Sequence, residues 1–432
     1  MKDDFMARVL PDLFTWRRCL HQQPELGFME YKTTFLLSKE LEKLGFELHI
    51  GKDALKSESR LGLPTEEELN EQEQKALRWG VDEESLEKMS GGNTGLVAIL
   101  DTGRPGDHVA FRFDIDALPI NESEDSSHLP FQKGFRSREH DVMHACGHDG
   151  HTAIGIGVAR YISEKKDTLR GKFTLLFQPA EEGGRGAKAM TDKGWLHGVH
   201  RFYTGHIGIE SMPAGTIAAT TEGFLASSKM NIRYKGTAAH AGMKPEDGKN
   251  ALLAGATAAT QLYAIPRHSG GTTRINVGRL EAGRGRNIIS DTAYLEVETR
   301  GETKDINNYV WNEAKRMLHA SASMHDVELD IVFVGETEEI NCDAGMIDRV
   351  THFCEKSDYV QRVLPVAPVS GSEDASFMVN AVQKQGGEAT YMLFGTQLPY
   401  GHHHPAFDFD EAVLPVALDT FIHILKGGSS YE

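Results

Sequence analysis

Cysteine is scarce in this 432-residue chain. The four present, Cys19, Cys146, Cys342 and Cys354, are scattered and form no CxxC pair. That argues against a disulfide framework and suits a reducing compartment, so a cytoplasmic protein is expected. Long apolar runs are missing too, and Met1-Lys2-Asp3-Asp4-Phe5 carries acid where a signal peptide would be apolar. No membrane partner is expected. Positive charge is short: 46 Lys and Arg stand against 63 Asp and Glu, a formal net charge of -17. That opposes nucleic acid as a partner, because binding it needs a basic surface. A local basic pocket could still take an anionic small molecule. No internal repeat or low-complexity tract is visible.

What is present reads as an ordinary globular enzyme, and 432 residues exceed one comfortable core. The segment from Phe5 to Gly45 is expected to be helical, with Leu36, Leu37, Leu41 and Leu44 at helical spacing and Gly45 as a stop. Residues 52–92 are rich in Glu, Lys and Ser and read either as a solvated helical excursion or as a partner-binding insertion. Apolar strands are expected over 95–100, 108–113 and 172–177, with a helix from Thr152 to Ser163 between the last two. This alternation predicts an α/β sheet flanked by helices. Alternating polar and apolar residues at 229–234, 274–277 and 293–298 predict half-buried antiparallel strands, with helices over 251–264 and 306–322. The tail from Cys342 returns to an α/β pattern. The expected organisation is a catalytic domain in two pieces, 1–223 and 335–432, and an inserted α+β domain, 224–334.

Chemistry concentrates in a few short strings. Cys146-Gly147-His148 sets a thiol and an imidazole two apart across a flexible Gly, a pair that can face one metal. A structural cysteine or a nucleophilic Cys/His pair would read the same. Glu181-Glu182 follows the strand ending at Phe177 and precedes two glycines, where α/β sheets place their sites. Neighbouring carboxylates there can divide the work, one holding a metal and the other a water; elsewhere such a pair is a solvated surface feature. His206 lies on an apolar strand and could equally be a core histidine. His402-His403-His404 reads as a loop with at least one ligand, because protein-like sequence continues after it. Together these supply thiol, carboxylate and imidazole donors suited to Zn²⁺, Mn²⁺, Co²⁺ or Ni²⁺.

Across nearly its whole length the chain resembles the M20 metallopeptidases, in the amidohydrolase branch with aminoacylases, hippurate hydrolases and auxin-conjugate hydrolases. The resemblance is carried by Trp16-Arg17-Arg18-Cys19-Leu20-His21-Gln22-Gln23-Pro24-Glu25-Leu26-Gly27, Asp114-Ile115-Asp116-Ala117-Leu118-Pro119 and the Cys146 run. It continues through Gln178-Pro179-Ala180-Glu181-Glu182, Gly236-Thr237-Ala238-Ala239-His240-Ala241-Gly242 and Gly371-Ser372-Glu373-Asp374-Ala375. It implies a zinc-peptidase-like catalytic domain and an inserted lid or dimerisation domain.

The same resemblance implies two divalent ions per subunit, Mn²⁺ or Zn²⁺ foremost. Cys146 would bridge them, His148 and His206 would complete one site, and Glu182 with a C-terminal histidine the other. The family's His-x-Pro pattern selects His403, with His404 as a departure in the spacer position. Glu181 would be the catalytic base, and Asp116 would orient a ligand histidine. His240 would steady the oxyanion, often in a neighbouring subunit, and Asn287 and Arg300 would hold a substrate α-carboxylate. Without the family, His240 reads as a turn histidine and the other two as sheet-edge residues. The expected substrate is a small amino-acid conjugate, an N-acyl or N-aroyl amide with p-aminobenzoyl-glutamate favoured. The alternatives are a general aminoacylase or carboxypeptidase and, further off, a non-catalytic subunit. The expected assembly is a homodimer or a hetero-oligomer with a homologous second subunit.

Overall fold

The computed structural model describes residues 5–428; Met1 to Asp4, read above for a leader, lie outside them. In chain order the strands are β1 (Glu47–Ile50), β2 (Leu96–Asp101), β3 (His108–Asp114), β4 (Lys172–Gln178), β5 (Arg201–Ile207), β6 (Thr216–Glu222) and β7 (Ala226–Lys235). They continue as β8 (Ala239–His240), β9 (Thr273–Ala282), β10 (Ile288–Ile289), β11 (Thr292–Gly301), β12 (Glu328–Thr337), β13 (Arg362–Pro368) and β14 (Glu388–Phe394).

One mixed sheet has the order β1-β2-β4-β3-β5-β14-β6-β13. Strands β3, β4, β5 and β14 run parallel. Their carboxyl ends therefore share one edge, the position where α/β sheets build their sites. The apolar runs are legible as strands because both faces are covered. Phe173, Leu175 and Phe177 of β4 pack into the core under the helices Phe5–Gln22, His148–Lys165 and Val413–Gly428, while Leu176 points into the core on the opposite face.

A second sheet, β12-β7-β11-β9, is antiparallel throughout. Here the sequence alternates because one face alone is covered. Ile232, Tyr234, Leu295 and Val297 pack under the helices Ala251–Leu262 and Lys304–Met324. Lys229, Asn231, Glu296 and Glu298 occupy the open face. A short ribbon pairs β8 with β10, His240 opposite Ile288.

The single helical stretch expected over Phe5 to Gly45 is two helices, Phe5–Gln22 and Tyr31–Lys43. Pro24 and Gly27 fall in the break. Buried Glu25 closes the second helix's first turn by accepting from the Lys32 and Thr33 amides at 3.0 and 2.7 Å. Gly45 has φ +79°, a left-handed stop that suits glycine. Residues 52–92 are helical, Glu66–Arg78 and Glu83–Met89, but not a detached solvated arm. Thr65 and Glu68 form a capping box, and Leu69, Ala76 and Met89 are buried. Tyr31 donates to Glu73 at 3.1 Å.

Candidate metal centre

The helix His148–Lys165 begins under the carboxyl edge of the large sheet, and Gly147 caps it at φ +95°. That left-handed turn, favourable for glycine, brings Cys146 and His148 into the same cluster. His148 Nδ1 donates to the Asp116 carbonyl at 3.0 Å and to its carboxylate at 3.2 Å, which leaves Nε2 as the free donor atom. The other Asp116 oxygen accepts from the Glu182 amide at 3.0 Å. One buried carboxylate thus fixes both His148 and the Glu182 backbone, the arrangement that orients ligands in metal sites. His206, near the end of β5, donates from Nδ1 to the Ile207 carbonyl at 2.8 Å, and its Nε2 lies 3.4 Å from Cys146 Sγ.

The loop after β14 closes the cluster. The His403 amide donates to the Ala145 carbonyl at 2.8 Å, and its Nε2 stands 3.4 Å from Glu182 Oε1. His403 adopts φ +65°, a strained conformation for a non-glycine residue. His402 lies beside His206, but its Nε2 accepts from the Ile209 amide at 2.9 Å. The neutral ring then carries its proton on Nδ1 and offers no second lone pair, which favours His403 as a ligand. His151 is similarly used up, between Asp114 at 2.6 Å and the Ile207 amide at 2.8 Å.

Donor atoms of Cys146, His148 and Glu182 lie within 4.8 Å of one another, as do those of Cys146, His206 and His402. Cys146 belongs to both trios. Three atoms of these residues, His148 Nε2, Glu182 Oε1 and His402 Nδ1, are buried without a hydrogen-bond partner. Buried polar atoms seldom go unpaired, and these converge on thiol and imidazole donors, so the residues fit a divalent cation. The electrostatics agree. Burial alone would lower His148, but Asp114 and Asp116 outweigh it and lift it to about 10. The surroundings favour positive charge there, a proton or a cation.

Burial, with the charges of Glu182 and Glu181 behind it, pushes the Cys146 thiol well up. Burial also holds His206 well below its usual range. Neither direction favours a thiolate–imidazolium pair in the metal-free site. Glu181 Oε2 lies 3.8 Å from His148 Nε2. Burial, then Glu373, Glu182 and Asp374, raise this carboxyl well above its ordinary value, the direction that favours uptake of a proton.

Two buried charge networks brace the site. Arg112, in the Phe111-Arg112-Phe113 stretch of β3, reaches Gln178 at 2.7 Å, Asp114 at 2.8 Å, Glu373 at 3.0 Å and Asp374 at 3.4 Å. Asp374 accepts from the Gly186 and Ala187 amides, closing the loop that carries Glu181 and Glu182. The acidic trio of Glu181, Glu373 and Asp374 is therefore served by a guanidinium. In the second network, Arg17 pairs with Asp149 at 2.9 Å, Asp408 at 2.5 Å and Glu411 at 3.3 Å. His21 donates from both ring nitrogens, to Asp149 and Glu122, each at 2.9 Å. This ties the first helix to the first turn of the Cys146 helix and to the segment after His403. Sequence reasoning gave Arg17, His21, Arg112, Glu373 and Asp374 no role. For Arg112 the available signal was a charge set in an apolar strand.

The lid residues are not drawn into this cluster. His240 is exposed, its Nδ1 accepting from the Gly242 and Met243 amides at 3.2 and 3.1 Å. The carbonyl of exposed Asn287 accepts from the Ala241 amide at 3.0 Å. Arg300 pairs with Glu298 at 3.1 Å on the open face of the second sheet.

The sequence profile of Peptidase family M20/M25/M40 matches residues 110–427. The chain is 44% identical to an indole-3-acetyl-aspartic acid hydrolase from Enterobacter agglomerans, over 97% of this chain and 96% of that protein. It is 43% identical to one of the subunits of p-aminobenzoyl-glutamate hydrolase from Escherichia coli, with the same coverage. Among solved structures, an aminobenzoyl-glutamate utilization protein from Klebsiella pneumoniae superposes with a TM-score of 0.85 at 38% identity, covering 98% of both chains. A Bacillus subtilis protein described as a dinuclear metal binding peptidase of the M20 family gives 0.65 at 25% identity, covering 97% of this chain and 98% of its own.

Proposed function

The chain belongs to peptidase family M20/M25/M40, and from that premise we propose that it hydrolyses the amide bond of N-aroyl amino acids, with p-aminobenzoyl-glutamate as the favoured substrate. The observation that carries this reading is the convergence of His148 Nε2 and Glu182 Oε1, buried and unpartnered, on Cys146 beside the raised carboxyl of Glu181. The aryl-bearing acyl half and the acidic amino-acid half come from the relatives, which are named for p-aminobenzoyl-glutamate and indole-3-acetyl-aspartate.

Cys146, His148, His206, Glu182 and His403 would hold two divalent ions, Mn²⁺ or Zn²⁺, with Co²⁺ or Ni²⁺ as further candidates and Cys146 shared between them. When bound, the ions polarise the amide carbonyl and ease deprotonation of a water. Glu181 takes a proton from the attacking water and delivers it to the leaving nitrogen. The new C–O bond forms first; the C–N bond then breaks as the nitrogen takes that proton, and a carboxylic acid and a free amino acid leave. Asp116 keeps His148 in the tautomer that exposes Nε2. His240, outside the cluster in this chain, would steady the oxyanion at the site of a neighbouring subunit, and Asn287 and the Arg300 guanidinium would hold the α-carboxylate.

The lid edge is the surface on which we place assembly. Leu280 on edge strand β9 is exposed, as are Leu252, Leu253 and Tyr263 on the adjacent helix. Such an apolar edge marks an interaction site, either for a second copy or for a homologous second subunit. The four free cysteines suit a cytoplasmic setting.

The test is a substrate panel on chelator-stripped protein restored with Mn²⁺ or Zn²⁺. Aroyl-glutamates and indole-3-acetyl-aspartate should outpace hippurate, N-acetyl amino acids and dipeptides in kcat/KM. A preference for N-acetyl amino acids or dipeptides would replace this reading with a general aminoacylase or carboxypeptidase. Full activity in chelator would point to cysteine chemistry instead.

A further inference from the structure

Beside the metal cluster lies a cavity of about 380 Å³ that opens onto Glu182, within the size range of small-molecule sites. Its apolar lining is Leu26, Met29, Leu118, Pro119 and, from the 52–92 insertion, Pro64. The floor is continuous with the metal loop. Leu26 bridges to Ala117, and Leu118 pairs with Met143, three residues before Cys146. The insertion wall is held firmly. The Gly62 carbonyl accepts from Arg185 Nη1 at 3.2 Å, and Arg185 Nε donates to the Glu182 carbonyl at 2.7 Å. Gly62 has φ +58°, and a Cβ there would stand 2.4 Å from the Val334 carbonyl oxygen of β12. No side chain fits at that position without moving the wall.

The cavity's charged members point to what it takes. Glu68 lines it. Its Oε2 accepts from the Thr65 amide and hydroxyl at 2.8 and 2.7 Å, which holds the carboxyl below its usual range. The Glu68 side chain is exposed, and its Oε1 has no partner among the described residues. The Arg185 guanidinium is committed to two carbonyls and to the face of Phe28, 5.7 Å away. An acidic amino acid would meet the Glu68 and Glu182 carboxylates here, with Arg185, already donating to two carbonyls, as the cation of the lining. A flat neutral ring suits the apolar walls, and a ring N–H suits an unshared carboxylate oxygen.

We propose that this cavity is the aroyl subsite, and that the insertion supplies its specificity through Glu68, which accepts a hydrogen bond from an N–H on the aromatic ring of the acyl group. The proposal rests on the aroyl-amidase reading above and deepens it. It makes the 52–92 insertion a substrate-recognition element and separates ring-N–H acyl groups, such as p-aminobenzoyl, from plain benzoyl.

The experiment compares kcat/KM for p-aminobenzoyl-glutamate and benzoyl-glutamate in wild type, Glu68→Gln and Glu68→Ala, with the metal restored. Intrinsic differences in amide reactivity cancel when the ratio is compared between proteins. Glu68→Gln preserves the capping box, in which Gln serves as well as Glu, and so separates recognition from folding. Both variants should lower the p-aminobenzoyl to benzoyl ratio roughly 10-fold, the scale of a charge-assisted hydrogen bond, with benzoyl-glutamate within about 2-fold of wild type. An unchanged ratio in both variants, including a parallel fall for both substrates, overturns the role of Glu68 while leaving the aroyl-amidase reading intact. If wild type cleaves neither aroyl amide yet cleaves N-acetyl amino acids, that reading fails and the subsite falls with it.

Discussion

The two sheets handle charge in opposite ways. In the large sheet, Arg112, Asp114 and Asp374 are buried among one another, and Arg17, His21 and Asp149 form a second buried group below the metal cluster. In the lid, Arg279 meets Glu281 and Glu296, and Arg300 meets Glu298, with most of these side chains a quarter to a half or more exposed. Buried pairs hold their partners in one geometry and cost heavily when broken. Exposed pairs are weak and can exchange partners. The large sheet thus holds its charged groups in fixed geometry, whereas the pairs on the second sheet lie on a surface that can rearrange.

The sharpest contrast should come from the base. Glu181→Gln should lower kcat by about 10²–10⁴-fold while elemental analysis finds the metals still bound; turnover near wild type would remove Glu181 from that role. Next comes the brace behind it. Arg112→Met strands Asp114, Glu373 and Asp374 and should cost about 3–5 kcal/mol of stability, read by denaturant unfolding. A loss no larger than that of a surface substitution would erase the contrast between the sheets.

The third expectation concerns pH. Burial alone would lower His21, but the carboxylates of Asp149 and Glu122 accept from both ring nitrogens and lift it to about 9 from 6.5. A folded value above the unfolded one means that protonation favours the folded state. The contribution is full below pH 6.5 and is lost as pH rises through about 9. The stability gap between wild type and His21→Gln should therefore shrink by up to about 3 kcal/mol between pH 6 and pH 9.5. A gap that stays level would show that His21 is not charged in the fold. The smallest effect is expected in the lid. Arg300→Ala should leave the unfolding midpoint within about 2 °C yet raise KM for an α-carboxylate substrate roughly 10-fold. An unchanged KM would return Arg300 to a plain sheet residue.

Much of this was legible along the chain, for reasons that differ by region. β4 and β11 announced themselves because burial on two faces gives an apolar run and burial on one gives alternation. The break between the first two helices was harder. It depends on Glu25 finding the Lys32 and Thr33 amides, a contact that helical spacing does not reveal. The insertion looked detached because its exposed face is so rich in glutamate; its seat on Tyr31 and its wall on the cavity come from a few buried side chains.

The sequence by itself determined the donor chemistry. Cys146, His148, Glu181 and Glu182 sit in short strings at strand or helix ends, and local geometry obliges neighbours two residues apart to share one site. Only the tertiary structure distinguishes the surroundings of the adjacent histidines. His402 is occupied by the Ile209 amide and His403 is anchored to Ala145, partners roughly 190 and 260 residues away in sequence. A histidine's free nitrogen is set by what its other nitrogen bonds to, and that partner is chosen by the fold. The same holds for Arg112 and Arg17, whose partners Glu373, Asp374, Asp149, Asp408 and Glu411 come from distant segments that the fold brings around them.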